Sequence, residues 1–144
     1  MPTRSATARY EGLGREGKGR ISTQSGVLTD QAYGFGTRFG DEPGTNPEEL
    51  LAAAHAACFT MALSFALAGA GHEAGTLDTS AKVTIDKDGD GFAITRSALT
   101  LTAKVDGIDR DAFAKLADGA KAGCPLSKVL NCEVTVDWTL NGDA

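Results

Sequence analysis

The sequence has few cysteines and no surplus of positive charge, and both shortages restrict the classes of protein that it can encode. Its three cysteines are an odd number and too few for a disulfide-rich scaffold. The formal net charge of −5 gives no broad attraction to nucleic acid or to an anionic membrane surface. The N-terminal stretch lacks the apolar run and small-residue cleavage site of an export signal. We therefore expect a cytoplasmic protein that binds neither nucleic acid nor membrane.

Most motifs that bind metals or nucleotide cofactors are also missing. Three cysteines and two histidines could supply a zinc site, but no C-x-x-C or H-x-x-x-H spacing occurs. There is no G-x-S-x-G, no phosphate-binding glycine loop and no dinucleotide fingerprint. Asp86, Asp88, Asp90 and Gly91 match the opening of a calcium loop, but Ser97 stands at its twelfth position, and a hairpin turn explains the run better. We expect no metal and no cofactor.

One segment, residues 50–71, contains no Lys, Arg, Asp or Glu and is about the length that spans a bilayer. Alanine dominates it, His55, Thr60 and Ser64 interrupt it, and acidic residues flank it where a membrane helix usually has basic ones. Apolar residues lie on nearly every face, so we expect a core helix between layers of structure, with little of it in water.

The first third of the chain predicts a hairpin followed by a strong helix start. The runs TARYEG and KGRISTQ can pair as an antiparallel hairpin, and glycine-rich turns continue to Gly40. Asn46 can cap a helix that has Pro47 at its first position and two glutamates in its first turn. We expect this helix to end at about Ala68, before two glycines.

The rest of the chain predicts a second hairpin, a helix and a last strand. SAKVTID pairs with FAITRSALTLTAKV, and a change of apolar parity predicts a bulge between Thr95 and Ala98. Asp109 caps a helix that ends at Gly123, a short helical turn begins at Pro125, and EVTVDWTL forms the final strand. The whole predicts a single α+β domain over residues 1–144, with antiparallel sheets enclosing a long buried central helix.

Two of the three cysteines have surroundings that can make a thiol reactive. Cys58 lies one helical turn after His55, and His55 or Arg38 could stabilise its thiolate. Cys124, in GCP, lies at the predicted start of a short helical turn, where the thiolate is favoured over the thiol. Taken alone, Cys58 in an alanine-rich helix is better explained as a small apolar packing residue, whereas Cys124 could equally be a cap or packing residue. Cys132 has no activating neighbour, and we expect it to be structural.

A resemblance joins these separate features. With TNPEELLAAAHAACFTMALSFAL followed later by AGCPLSKVL, the sequence resembles the OsmC/Ohr family, named for osmotically inducible protein C and organic hydroperoxide resistance protein. The resemblance spans nearly the whole chain, and the helix opening NPEEL, the mid-helix AACF and the later GCP occur in the expected order. GFGTRFG before the helix and HAACF within it are more similar to the OsmC branch than to the Ohr branch.

The resemblance implies a role for four residues. Cys58 would be the peroxidatic thiol that attacks the peroxide, and Cys124 the resolving thiol that then forms a disulfide with it. Arg38 and Glu48 would be the activating pair. Glu48 is favoured over Glu49 because a regular helix turns Glu49 away from Cys58.

The resemblance also implies a substrate, a reductant and an assembly. These are an organic hydroperoxide, an external dithiol, and an intertwined homodimer with the site near the subunit interface. Hydrogen peroxide would react more weakly, because Phe39, Phe59 and Met61 would shelter an alkyl group.

Three other hypotheses remain open from the residues alone. In one, the protein is a non-catalytic binder of small amphiphiles, and the thiols are incidental. In another, Cys58 and His55 form a cysteine hydrolase that does not need Cys124. In the third, the chain is a zinc protein.

Overall fold

The computed structural model describes residues 1–142, in which the chain forms two units, Met1–Leu50 and the chain from Leu51 onward. The elements in chain order are β1 (Ala6–Glu11), β2 (Lys18–Thr23), β3 (Gln31–Tyr33), α1 (Phe35–Phe39), α2 (Pro47–Gly69), β4 (Thr76–Asp88), β5 (Gly91–Lys104), α3 (Arg110–Gly123), α4 (Pro125–Val129) and β6 (Glu133–Leu140). Strands and helices are therefore mixed as the α+β prediction required.

The first unit contains a three-stranded antiparallel sheet in the order β1-β2-β3. Strand β1 pairs with β2 over its full length, which confirms the predicted first hairpin. The short helix α1 was not predicted, because its sequence GFGTRFG is rich in glycine. It forms where the Thr37 hydroxyl accepts a hydrogen bond from the Gly34 N–H at 2.8 Å, which fixes the first turn.

Helix α2 begins and ends close to where the sequence predicted. Asn46 caps it, because its Oδ1 accepts the Glu49 N–H at 2.8 Å. At the other end the His72 N–H donates to Leu67 O at 3.1 Å and the Gly71 N–H to Ala68 O at 3.0 Å. This pair of bonds is the Schellman ending, which needs a left-handed residue, and Gly71 supplies it with a φ of 96°.

The second unit has a sheet in the order β4-β5-β6. Strands β4 and β5 form the predicted antiparallel hairpin, and the register passes from Thr84 opposite Arg96 to Ile85 opposite Ile94. Thr95 is thus the extra residue of a bulge, at the edge of the predicted interval. Strand β6 runs parallel to β5, not antiparallel as expected. The connection through α3 and α4 is long enough for a crossover, which a parallel pair requires.

The core lies in the second unit. Its buried apolar side chains come from α2, β5 and the residue after it, α3, the cap of α4, and β6: Phe59, Leu63, Leu67, Leu99, Leu101, Ala103, Val105, Phe113, Ala117, Ala120, Cys124 and Leu140. Alternate residues of β5, Leu99, Leu101 and Ala103, face this core, as expected for a strand with one buried side.

Helix α2 is buried on one face only within the single chain. Phe59 and Leu63 are fully buried, whereas Met61 and Phe65 on the other face are 61% and 70% exposed. The expectation that little of the helix meets water is therefore not met by one copy of the chain. By length and composition α2 also qualifies as a membrane span, and its buried face, with Phe59 and Leu63, belongs to the core of the second unit.

Candidate active site

The first unit holds the predicted charged pair, Arg38 and Glu48. Arg38 lies in the last turn of α1 and Glu48 in the first turn of α2. Arg38 Nη2 donates to Glu48 Oε1 at 2.7 Å, and Arg38 Nε lies 3.1 and 3.2 Å from the two carboxylate oxygens. The contact is two-pronged, which fixes the plane of the guanidinium as well as its distance. The Arg38 side chain is 37% exposed and that of Glu48 10%.

Asn46 holds the two halves of this pair together. Its Oδ1 caps α2, and its Nδ2 donates to the Thr37 carbonyl oxygen at 3.0 Å, one residue before Arg38. One side chain therefore fixes both the helix that carries Glu48 and the end of the helix that carries Arg38.

An apolar cavity of about 470 Å³ adjoins Arg38 in the first unit. Tyr10, Tyr33, Phe35 and Phe39 supply its aromatic lining, and Arg38 contributes charge at one side. Of the three residues expected to shelter an alkyl group, only Phe39 is placed here. Phe59 is fully buried in the core of the second unit, so it is unavailable to a substrate.

The second unit brings the two predicted thiols together. Cys58 lies in α2 and is half-buried, while Cys124 caps α4 and is fully buried. Their side chains are hydrogen-bonded to each other. The backbone amide of Leu126, in the first turn of α4, lowers the pKa of both thiols and so favours their thiolate forms. Two thiols in direct contact are placed for disulfide formation, which requires closely spaced cysteines.

The surroundings give the two thiols different acidities. Burial raises the pKa of Cys58, and its hydrogen bond to Cys124 raises it further. Burial also raises the pKa of Cys124, but the bonds from Cys58, Ser127 and Leu126 outweigh it and lower the pKa below the ordinary value. The local prediction that Cys124 is the more acidic thiol agrees with this arrangement.

His55 shares a helix face with Cys58, but both of its ring nitrogens are hydrogen-bonded to serine hydroxyls. Its ring is fully buried and is held between two hydroxyls, with Nδ1 2.6 Å from Ser97 Oγ and Nε2 2.8 Å from Ser127 Oγ. Burial lowers the pKa of His55, so the neutral ring is favoured. This gives no support to a Cys58–His55 hydrolase.

Sequence reasoning missed Ser97 and Ser127. A buried histidine needs hydrogen-bond partners, and this requirement could have prompted a search for polar side chains that face the core. Ser97 shares the inward parity of Leu99 and Leu101 on β5, so a polar side chain facing the core was visible there. Ser127 follows Cys124 by three residues, the spacing at which a helix cap meets the first turn.

The third cysteine lies in the short connection after α4. Cys132 is half-buried between α4 and β6, and no disulfide joins any of the three cysteines, all of which are described. Among residues 1–142, no group of three or more His, Cys, Asp or Glu side chains is arranged to hold a metal ion.

A pair of neighbouring thiols, one on a long helix and one buried at the cap of a short helix, in a fold of helices and a mixed sheet, defines an α+β thiol protein. Comparison with known proteins gives its family. Residues 40–139 match the family model described as OsmC-like protein. The chain belongs to the OsmC-like family.

Its relatives fall in both branches of that family. It is 54% identical to Peroxiredoxin OsmC of Escherichia coli over 92% of this chain and 93% of that protein. It is 30% identical to organic hydroperoxide resistance protein OhrB of Bacillus subtilis over 85% of this chain and 88% of that protein. The higher identity to the former supports the OsmC branch. These names support peroxidase or hydroperoxide reductase activity.

Solved structures agree with the fold. The crystal structure of OhrB from Bacillus subtilis matches with a TM-score of 0.71, covering 95% of this chain and 98% of that one. An organic hydroperoxide resistance protein from Elizabethkingia anophelis matches with a TM-score of 0.73 at 28% identity, covering 97% of this chain and 96% of that one. The predicted α+β fold of the OsmC/Ohr type is confirmed.

Proposed function

We propose that this protein reduces organic hydroperoxides, and hydrogen peroxide more slowly, through Cys58 and Cys124. The observation that carries the proposal is the direct contact between these two thiols in a buried setting. Reduction of a peroxide needs two electrons, and a pair of thiols supplies them by becoming a disulfide.

The reaction has three steps. The Cys58 thiolate attacks one peroxide oxygen, the O–O bond breaks, and an alcohol leaves once its oxygen takes up a proton. Cys58 is then a sulfenic acid, and Cys124 attacks its sulfur, releasing water and forming the disulfide. An external dithiol, acting in the cytoplasm, reduces the disulfide and restores both thiols.

The roles of Arg38 and Glu48 follow from the family resemblance. Arg38 favours the Cys58 thiolate and polarises the peroxide, because a guanidinium is a permanent cation with several donors. Glu48 holds the guanidinium, and the two-pronged contact at 2.7 to 3.2 Å supports that role.

The assignment of attacker and resolver needs its own test, because the local contacts favour the thiolate on Cys124. Cys58 is the more exposed of the two and so the more accessible to a peroxide. The position of the first sulfenic acid decides the assignment.

The experiment is a thiol count on reduced protein after one equivalent of cumene hydroperoxide, with dimedone to trap sulfenic acid. Wild type should lose two of its three thiols. Cys124→Ser should lose one and carry dimedone on Cys58, and Cys58→Ser should lose none. Cys132→Ser is the matched control and should still lose two. Dimedone on Cys124 in Cys58→Ser would reverse the assignment.

Turnover with a dithiol completes the test. Wild type should consume cumene hydroperoxide faster than hydrogen peroxide, and Cys58→Ser should consume neither. If neither peroxide is consumed and all three thiols survive the dose, the catalytic proposal fails. A non-catalytic amphiphile-binding protein is then the better explanation.

We also propose a homodimer, as the family resemblance implies. The exposed apolar face of α2, with Met61 and Phe65, supports it because such faces are usually covered. Light scattering of the purified protein should give twice the mass of the chain, and Phe65→Glu should give a monomer.

A further inference from the structure

A buried chain of hydrogen bonds leads from the sheet to Cys124. Ser97 Oγ lies 2.6 Å from His55 Nδ1, and His55 Nε2 lies 2.8 Å from Ser127 Oγ. Ser127 lies in the first turn of the helix that Cys124 caps, and its side chain favours the Cys124 thiolate. The chain thus spans β5, α2 and α4 and ends on a reactive sulfur.

The hydroxyl protons fix the direction of these bonds. Ser127 has one hydroxyl proton, and when it donates to a Cys124 thiolate its oxygen must accept from His55 Nε2–H. The neutral ring then has a bare Nδ1, which accepts the hydroxyl proton of Ser97. Each donor therefore points toward Cys124.

We propose that Ser97, His55 and Ser127 form a hydrogen-bond relay that aims the Ser127 hydroxyl at Cys124, with His55 as a positioning residue that acts through Ser127. The relay prepares Cys124 for its attack on the oxidised partner thiol. That use rests on the proposed peroxidase function, whereas the relay itself is a property of the reduced protein.

The step that the relay assists is the formation of the disulfide. The Cys124 thiolate attacks the sulfur of the Cys58 sulfenic acid, the S–S bond forms, and the S–O bond breaks. The departing hydroxide takes up a proton, equivalent to the one that Cys124 lost on ionising, and leaves as water, so no oxidant beyond the original peroxide is needed. A donor aimed at Cys124 raises the thiolate fraction available for this attack.

The elements around Cys124 carry several other titratable groups. Cys58 and His55 lie on α2, Lys121 on α3 and Lys128 on α4, and Arg96 on β5 pairs with Glu133 of β6. Cys58 is the one that bonds directly to Cys124. A variant in which Cys124 is the remaining thiol removes the titration of Cys58, so the effect of the relay on Cys124 can be measured by itself.

The test is an absorbance titration of the thiolate at 240 nm in a Cys58→Ser, Cys132→Ser background, where Cys124 is the remaining thiol. Ser127→Ala should move the midpoint to higher pH by about one pH unit, since a hydrogen bond to a charged group is lost. His55→Phe should move it in the same direction. Ser127→Thr keeps the hydroxyl and should restore the parent midpoint.

His72→Phe is the matched control, because it removes the other histidine and should leave the midpoint unchanged. An unchanged midpoint in folded Ser127→Ala or His55→Phe would overturn the relay, as would an equal movement in His72→Phe. Circular dichroism checks that each variant is folded. The titration uses no peroxide, so a protein that shows these movements but no turnover would keep the relay and lose the proposed function.

A second readout ties the relay to the reaction. In a Cys132→Ser background given one equivalent of cumene hydroperoxide, Ser127→Ala should form the disulfide about threefold more slowly. A rise of about one unit in the pKa of Cys124 makes its thiolate fraction about tenfold smaller. The less acidic thiolate is also the better nucleophile, and this offsets part of the loss in rate. Formation of the sulfenic acid should keep its rate. An unchanged rate of disulfide formation would overturn the assignment of the relay to this step.

Discussion

Residues 1–50 and the chain from Leu51 onward differ in what surrounds their candidate chemical groups. In the first unit, every residue of which is described, no apolar side chain is buried, and Glu48 is the one buried charged group. In the second, Cys124 and His55 lie among fully buried side chains. The first unit holds its charged pair by hydrogen bonds at helix ends, and the second holds its thiols by close packing.

This difference predicts different consequences of mutation. A side chain in the first unit can be removed with little change in the free energy of unfolding, so its loss should be visible in the reaction rate. A side chain in the second unit cannot be changed without disturbing the core.

The largest expected effect is on stability in the second unit. Phe59→Ala removes a fully buried ring and should lower the free energy of unfolding by about 3 to 5 kcal/mol, from lost burial and the cavity left behind. Urea denaturation followed by circular dichroism measures it. Leu13→Ala, at a side chain 91% exposed in the first unit, should change stability by less than about 0.5 kcal/mol. Equal losses in both variants would remove the contrast.

The next effect is on rate in the first unit. Arg38→Ala should lower kcat/KM for cumene hydroperoxide by about a hundredfold, the usual loss when one donor to the reacting group is removed. Stability should change by less than about 1 kcal/mol, because the guanidinium is partly exposed. Arg9→Ala is the matched control, since its ion pair with Glu11 is exposed and should affect neither quantity. A large loss of stability in Arg38→Ala would contradict the contrast.

A third effect depends on pH and belongs to the second unit. Burial lowers the pKa of His55 below 6.5 in the folded protein. As the pH falls below 6.5, His55 therefore becomes protonated in the unfolded chain before it does so in the folded one. Stability should therefore fall as pH decreases from 6.5, by up to about 1.4 kcal/mol per pH unit from this residue. His55→Gln should reduce the slope between pH 6.5 and 5.5, and His72→Gln is the comparison variant. An unaltered slope in His55→Gln would show that this histidine is not kept neutral.

The elements with a strong local signal were predictable from the sequence. Asn46 and Asp109 both cap helices as predicted, because a cap depends on contacts within one turn. The bulge at Thr95 was visible as a change of parity. The parallel pairing of β6 was not predicted, because an isolated strand carries no mark of the direction of its partner.

The candidate site was likewise only partly predictable from the sequence. Helical spacing placed His55 and Cys58 on one face, but the hydrogen-bond partners of His55 come from elements 42 and 72 residues further on. Ser97 and Ser127 are ordinary residues for a strand and a helix start, so only the folded chain shows that they meet one imidazole. The contact of Cys58 with Cys124 was implied by family resemblance and not by spacing.

The smallest expected effect compares the two caps themselves. Asp109→Ala removes one acceptor of a backbone N–H and should lower the free energy of unfolding by about 1 kcal/mol. Asn46→Asp keeps the corresponding acceptor but loses the donor to Thr37 O, so its stability should change less. Because that donor fixes the end of α1 next to Arg38, Asn46→Asp should still lower kcat/KM several-fold, since small misplacements of a catalytic group reduce rate. Asp109→Asn, which retains a cap, should leave kcat/KM unchanged. If Asn46→Asp keeps the full kcat/KM, the bond from Asn46 to Thr37 O is not required to position Arg38 and Glu48.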